Sequence, residues 1–139
     1  MSAEENKVIA RRIYEEAINQ GKGSVIDELV ALDVVDHNPF PDAPPGREGA
    51  KAAFNLMHSA VPDIRVTVED MVAEGNTVAS RLTFRGTHKG EFMGVAPTNK
   101  QISFSVADFL RISGGKVVER WGVEDMAPLM QQLGVIPSS

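Results

Sequence analysis

The sequence predicts an α+β domain in which helices come first and an antiparallel sheet follows. Apolar residues recur at helical spacing up to about residue 61, and from residue 64 onward they alternate with polar residues, as in strands. Helices and strands are therefore segregated along the chain, which excludes the strand–helix alternation of a doubly wound parallel sheet. We expect the sheet to curl, with the helices laid across its concave face.

Composition limits the possible functions. The chain has 139 residues and a formal net charge of -5, with 14 Lys and Arg against 19 Asp and Glu. This length allows one hydrophobic core, so we expect a single domain over residues 1–139. The acidic balance argues against a nucleic-acid partner. Because cysteine is absent, disulfides, thiolate nucleophiles and cysteine-ligated metals are excluded. No apolar run is long enough to cross a bilayer, so we expect no membrane partner and a cytoplasmic location.

Three helices are predicted before residue 62. The first covers about residues 4–19, with apolar side chains on one face, and Gly21 ends it. A short second helix begins at Ser24. A short strand near residues 34–38 leads into a proline-rich loop. The third helix follows over residues 47–61, and the next residue, a proline, ends it.

Four long strands are predicted after the third helix. The first begins at Ile64 and ends at a turn over residues 74–76. The others cover about residues 78–88, 101–112 and 117–123. The last two are joined by a glycine-containing hairpin turn. A final short helix is predicted over residues 125–133.

Asp108 is the most informative single residue, because it interrupts an apolar face of the strand over residues 101–112. If that face is buried, ionisation is costly, so the pKa of the carboxyl rises or a cation compensates. A neutral carboxylic acid can donate to a developing oxyanion or act as a general acid. The alternatives are an exposed position or a structural ion pair with Arg81, Arg85 or Arg120.

Two other polar residues are candidates for contact with a substrate. Asn38 follows the apolar end of the short strand, and its amide can orient a carbonyl or a water, although Asn-Pro also opens turns. Tyr14 is the only tyrosine and lies on the inner side of the first helix. Its buried hydroxyl needs a partner, which is either a ligand oxygen or a group of the core.

The three histidines, at positions 37, 58 and 88, lack the spacing of a metal-binding pair, so we expect no metal site. His88 ends a long strand, where an imidazole can overhang a pocket mouth and move protons; a solvated loop position is the alternative. Arg120 and Trp121 occupy opposite faces of the last strand, and Arg120 shares its face with Glu124. Trp121 packs in the core, lines the pocket or lies in a dimer interface, and the sequence leaves these alternatives open.

Several stretches, in order along almost the whole chain, resemble one family. The strongest is GTHKGEFMGVAPT at residues 86–98. The others are YEE at 14–16 with NQG at 19–21, VDHNP at 35–39, PGREG at 45–49, PDI at 62–64, GKVVERW at 115–121 and QQLG at 131–134. Together they resemble the SnoaL-like polyketide cyclases of the nuclear-transport-factor-2-like superfamily.

The resemblance implies a cone-shaped α+β barrel that dimerises through its sheet. The founding cyclases close a ring of an anthracycline precursor by aldol condensation, without metal or cofactor. Their substrate-holding asparagine before proline corresponds to Asn38, and a histidine at a glycine-flanked strand end corresponds to His88. Their catalytic aspartate corresponds to Gly122 here, with Glu124 nearby on the same face.

The related ketosteroid isomerases give a second comparison. They form an oxyanion hole from a tyrosine on the first helix and a protonated aspartate on the third strand, which Tyr14 and Asp108 match. The isomerase base corresponds to Asn38, which cannot take a proton. If this chain has a general base, His88, His37 or Glu124 must supply it.

Together with Asp108 in its apolar strand face, the resemblance implies a cofactor-independent enzyme that acts on a small, largely apolar carbonyl compound, such as a polyketide ester, through an enolate. The predicted catalytic residues are Asp108, Asn38 and His88. The predicted substrate contacts are Tyr14, His37, Arg120, Trp121 and Glu124. The alternatives are an isomerase of the same superfamily, a module that binds a small ligand without catalysis, and a structural dimer whose cavity is filled by side chains. We expect a homodimer.

Overall fold

The computed structural model describes residues 2–137, which form four α-helices and five strands. The helices are α1 (Ala3–Arg12), α2 (Ser24–Leu29), α3 (Arg47–Ala60) and α4 (Met126–Gln132). The strands are β1 (Val30–Asp36), β2 (Arg65–Glu74), β3 (Thr77–Thr87), β4 (Gln101–Ser113) and β5 (Lys116–Glu124). The predicted α+β class is confirmed.

The five strands form one mixed sheet in the order β1-β5-β4-β3-β2. Consecutive strands from β2 to β5 pair antiparallel, whereas β1 lies parallel to β5. The sheet is not closed, because its two edge strands, β1 and β2, do not pair with each other. The predicted barrel is therefore an open sheet, and the short strand predicted near residue 34 is a full edge strand of seven residues.

The first helix changes from α-helical to π-helical winding near its middle. After Arg12 it continues as a π-helix over Ile13–Asn19. π-Helical stretches are rare in proteins, and those that occur often lie at functional sites. Its far end is fixed by Asn19, which donates from Nδ2 to the Val66 carbonyl (2.9 Å) and accepts from the Val66 N–H at Oδ1 (2.7 Å). The π-helix is thus docked on β2 with Tyr14 facing inward.

The core lies between the helices and the inner face of the sheet. Alternation in β4 buries Ile102, Val106, Leu110 and Ile112, as the sequence predicted. α1 packs on β2 and β3, and α2 and α3 pack on β1. Burial of each such side chain stabilises the fold by about 1.5–3 kcal/mol. None of the helices within residues 2–137 is long and apolar enough to span a membrane.

The last helix covers a gap in the sheet. β5 ends opposite Val106, so the first residues of β4 have no strand beside them on that edge. Gln132 of α4 fills the gap, because its side-chain Oε1 accepts from the Ser103 N–H (2.7 Å) and its Nε2 donates to the Ser103 carbonyl (2.7 Å). One amide side chain thus satisfies both backbone groups of Ser103 on this edge.

Candidate functional site

The site is built around Asp108, on the inner face of β4. Its cross-strand neighbours are Ser80 on β3 and Gly122 on β5. The residue is only 6% exposed, although carboxylates are rarely buried unless they are paired. Of the alternatives left open for Asp108, the exposed position is therefore wrong.

Both oxygens of the Asp108 carboxylate accept hydrogen bonds from buried or half-buried donors. The Tyr14 hydroxyl donates to Oδ2 at 2.6 Å, and Nε of Arg120 donates to Oδ1 at 2.9 Å. Short distances of this kind are typical of charge-assisted hydrogen bonds. Of the three arginines considered as partners for Asp108, the structure selects Arg120.

Burial sets the protonation of this cluster. It raises the pKa of Asp108 above its ordinary value, and the Arg120 charge and the Tyr14 hydrogen bond oppose this effect without cancelling it. Burial and the neighbouring Asp108 carboxylate raise the pKa of Tyr14, so the phenol stays protonated at neutral pH. Burial alone would lower the pKa of Arg120, but Asp108 and Asp36 outweigh it and raise that pKa. Arg120 therefore stays charged.

Arg120 is shared among three carboxylates. Besides Asp108, its Nη1 lies 3.0 Å from Oδ2 of Asp36, and its Nη2 lies 3.6 Å from Oε1 of Glu124. Asp36 reaches the site because β1 lies parallel to β5, with Asp36 directly opposite Arg120. One guanidinium thus links both strands to the buried carboxyl of β4.

Gly122 leaves the space that this guanidinium fills. A Cβ atom built on Gly122 would overlap Nη2 of Arg120 and would lie 2.6 Å from its Cζ. The backbone N–H of Gly122 donates to Oδ1 of Asn38 at 3.0 Å. This bond turns the Nδ2 donors of Asn38 away from Gly122, and among residues 2–137 no protein acceptor lies within hydrogen-bond distance of them.

The structure does not bring all the predicted site residues to Asp108. Trp121 lies on the outer face of the sheet, where it stacks on His37 with ring centroids 4.6 Å apart. His37 bonds Glu119 there at 2.9 Å. His88 is fully buried but lies eight residues beyond Ser80, about 26 Å along an extended strand, with its Nδ1 accepting from the Thr98 N–H.

Two residues of the cluster were not among those predicted from the sequence. Asp36 precedes Asn38 by two positions, so strand alternation places both on one face, and that spacing was the available signal. Ser80 is buried opposite Asp108. It was not recognised because the pairing of β3 with β4 is not encoded in either strand alone.

Two surface depressions are lined mainly by residues outside this cluster. One cleft of about 370 Å³ lies at the far end of the sheet and is lined by residues including Arg65, Arg85 and Ser103. A second, of about 360 Å³, is lined by residues including Arg81, Val106 and Glu124. The predicted pocket over Asp108 remains a prediction.

The helix-covered open sheet and its inward carboxyl define an α+β protein of the nuclear-transport-factor-2-like type. The family model of the SnoaL-like polyketide cyclases matches residues 8–133. The chain belongs to this family. A search of curated proteins gave no match.

Solved structures support the family and show its breadth. TsrD from Streptomyces laurentii is 26% identical, with a TM-score of 0.89 and coverage of 98% of this chain and 99% of that one. AclR from Streptomyces galilaeus, a proposed hydroxylase, is 33% identical (TM-score 0.87, coverage 99% and 86%). IdmH from Streptomyces antibioticus, a proposed polyketide cyclase, is 36% identical (TM-score 0.80, coverage 93% and 98%). One fold thus carries more than one proposed reaction, so function must be argued from the site.

Proposed function

We propose that this protein is a cofactor-independent enzyme that acts on a small, largely apolar carbonyl compound through an enolate, with ring closure of a polyketide ester as the reaction class. The observation that carries the proposal is the buried 2.6 Å contact between Tyr14 and Asp108. The family and the structures of proposed cyclases support it. In this pair, an acid of raised pKa and a protonated phenol lie together, and both residues are buried.

The pair can stabilise an enolate when both Asp108 and Tyr14 are protonated. When Asp108 is ionised, the Tyr14 proton is directed at Oδ2 and is not available to a substrate. When Asp108 is protonated, its own O–H can donate to the Tyr14 oxygen, and the phenol can then turn its proton to a substrate carbonyl. Such preorganised donors stabilise the charge that develops on the oxygen. Burial raises the pKa of Asp108, so the protonated form persists to a higher pH than in an exposed carboxyl group.

The remaining roles follow from the neighbours of Arg120. The Nδ2 donors of Asn38 can orient the substrate carbonyl, because Gly122 holds the other end of the amide. Of the three groups considered as general base, Glu124 is the one whose side chain approaches the Arg120 guanidinium, at 3.6 Å. We therefore assign proton abstraction from carbon to Glu124, which is partly exposed and can exchange its proton with water.

Substitution of Asp108 tests this proposal. The probe is a phenol whose absorbance reports its ionisation, because a bound phenolate mimics an enolate. We expect Asp108→Asn to weaken its binding by at least about tenfold, because the variant lacks the acidic donor that the phenolate oxygen accepts from. Titrations across the pH range measure this affinity. Asp70→Asn is the matched control, because Asp70 also pairs with an arginine but on the exposed face. Equal affinity of wild type and Asp108→Asn at every pH would remove Asp108 from this role.

A binding module without catalysis is the second candidate function. It is favoured by Gly122, which stands where the resemblance places the family's catalytic aspartate, and by the arginine that fills the space beside it. Native mass spectrometry of the purified protein, followed by incubation with carbonyl substrates, separates the two functions. A ligand retained unaltered supports binding, whereas conversion of an added substrate supports catalysis.

We also propose that the protein is a homodimer that associates through the outer face of the sheet. Val72, Ala79, Phe109 and Trp121 are successive cross-strand neighbours from β2 to β5 and form an outer apolar row. Val72 is 65% exposed and Phe109 is 44% exposed, and contiguous exposed apolar surface often marks an interface.

A charge placed in the outer apolar row tests the dimer. We expect Phe109→Asp to convert the dimer to monomers, because a buried unpaired carboxylate strongly opposes association. Sedimentation velocity over a range of concentrations measures the effect. Val8→Asp is the control, since Val8 is equally apolar and 56% exposed but lies on α1. A wild-type protein that is monomeric at all concentrations would contradict the proposal.

A further inference from the structure

Two arginines face each other on the outer side of the sheet, far from Asp108. Arg65 on β2 and Arg85 on β3 are directly opposed in the antiparallel register, and both are exposed. Like charges in this arrangement destabilise a pair of strands. Opposed arginines without a counter-charge therefore require an explanation.

The other arginines on this face do have counter-charges. Arg81 lies 2.7 Å from Asp70 on the neighbouring strand, and Arg111 lies 2.6 Å from Glu119. Within residues 2–137, neither Arg65 nor Arg85 has a carboxylate at salt-bridge distance. The sheet thus supplies acidic partners for neighbouring arginines and omits them for this pair alone.

Arg65 and Arg85 line the cleft of about 370 Å³, and Arg85 also donates from Nη1 to the Thr67 hydroxyl at 3.1 Å. The cleft is open to solvent, and its volume lies near the lower end of the range of small-molecule sites. Gln101 and Ser103 line the same cleft and add polar side chains beside the guanidinium groups. Asp63 also lies at this cleft, but both of its oxygens already accept from Thr87, at 2.7 and 2.8 Å.

The charges of the cleft favour an anion. The Thr87 backbone N–H and hydroxyl lower the pKa of Asp63, which is therefore ionised at neutral pH. Two guanidinium groups against one carboxylate leave the cleft with an excess of positive charge on a protein whose net charge is -5. A guanidinium group presents paired N–H donors that match the oxygens of phosphate and carboxylate groups.

We propose that Arg65 and Arg85 form a binding site for the oxyanion of a small molecule, a phosphate ester or a carboxylate, in this cleft. The bound oxyanion neutralises the repulsion between the two strands and accepts from both guanidinium groups. This site is independent of the function proposed for Asp108.

Titration with inorganic phosphate, followed by NMR at constant ionic strength, tests the site. We expect saturable shifts of the amide signals of Arg85, Gly86 and Ser103, and a weaker or absent response to chloride. Arg65→Gln and Arg85→Gln should each weaken phosphate binding about tenfold, since each removes a charge-assisted bond. Arg81→Gln is the matched control on the same face and should leave the affinity unchanged.

Further measurements distinguish the class of ligand and define the results that would contradict the proposal. Tighter binding of phosphate than of acetate assigns a phosphate ester, and the reverse assigns a carboxylate. Arg65→Glu should abolish phosphate binding while raising the thermal midpoint, because it replaces repulsion by a cross-strand ion pair. A response to phosphate no larger than to chloride, or an equal loss in Arg81→Gln, would overturn the proposal.

Discussion

Arg120→Met should lower the free energy of unfolding by about 3–5 kcal/mol at neutral pH, which is the usual cost of leaving one partner of a buried ion pair alone. The variant keeps the aliphatic bulk of the side chain but removes the cation that lies 2.9 Å from Asp108. Urea unfolding measures the difference. Arg81→Met is the matched control: its pair with Asp70 is shorter, at 2.7 Å, but both side chains are more than 60% exposed. We expect little change there, because water already solvates those charges.

The cost of Arg120→Met should grow with pH. Burial raises the pKa of Asp108, so the folded chain keeps a proton on this group where the unfolded chain has lost it. Its contribution to stability is full below the ordinary pKa of 3.8 and declines as the pH rises through the folded value. Arg120 limits this decline by favouring the ionised form. Unfolding at about pH 4.5 and about pH 7.5 should show the larger loss at the higher pH. A loss that is equal at both would mean that Asp108 does not ionise in the folded protein.

Gly122→Ala should lower the free energy of unfolding by about 1–3 kcal/mol, through the overpacking of a filled site. The new Cβ would overlap Nη2 of Arg120, so the guanidinium must move away from Asp108. Gly122 adopts an ordinary backbone conformation, so left-handed strain does not contribute to this cost.

A double-mutant cycle shows whether this loss of stability comes from the overlap with Arg120 or from another requirement for glycine at position 122. In an Arg120→Ala background no guanidinium occupies the space beside Gly122, so adding the methyl group should then cost little. Residues in direct contact typically show a coupling energy of about 0.5–3 kcal/mol in such cycles. Additive effects would mean that Gly122 is required for a reason other than the position of Arg120. Gly23→Ala is a control within the chain, because its Cβ would make ordinary contact with Phe54 at 3.4 Å.

The sequence predicted the features that depend on local patterns. Alternation along β4 was sufficient to place Asp108 on the buried face, because every second residue of a strand points to the same face and Asp108 lies between Val106 and Leu110 in that series. The inward position of Tyr14 followed in the same way from helical spacing. Both residues of the central pair could therefore be named before the structure was known.

Features that depend on strand pairing could not be predicted. Alternation along β3 places Arg81 and Arg85 on the outer face, away from Asp108. Which residue of β5 meets Asp108 is a matter of register, and the amino-acid pattern of one strand does not fix its neighbours. The parallel pairing of β1 with β5 brings Asp36 to Arg120 across 84 residues of chain. Residue type alone suggested substrate contact for Trp121, whereas the structure places it on the outer face.

Gln132 has a consequence for solubility. A strand whose N–H and C=O groups face outward can recruit a second molecule by edge-to-edge addition, which is a common start of aggregation. The side-chain amide of Gln132 has the same donor and acceptor as a peptide unit. It makes the hydrogen bonds to the Ser103 backbone that a further strand would make. A chain lacking α4 would expose these backbone groups of β4 to another molecule. α4 therefore protects this strand edge against self-association, in addition to forming part of the core.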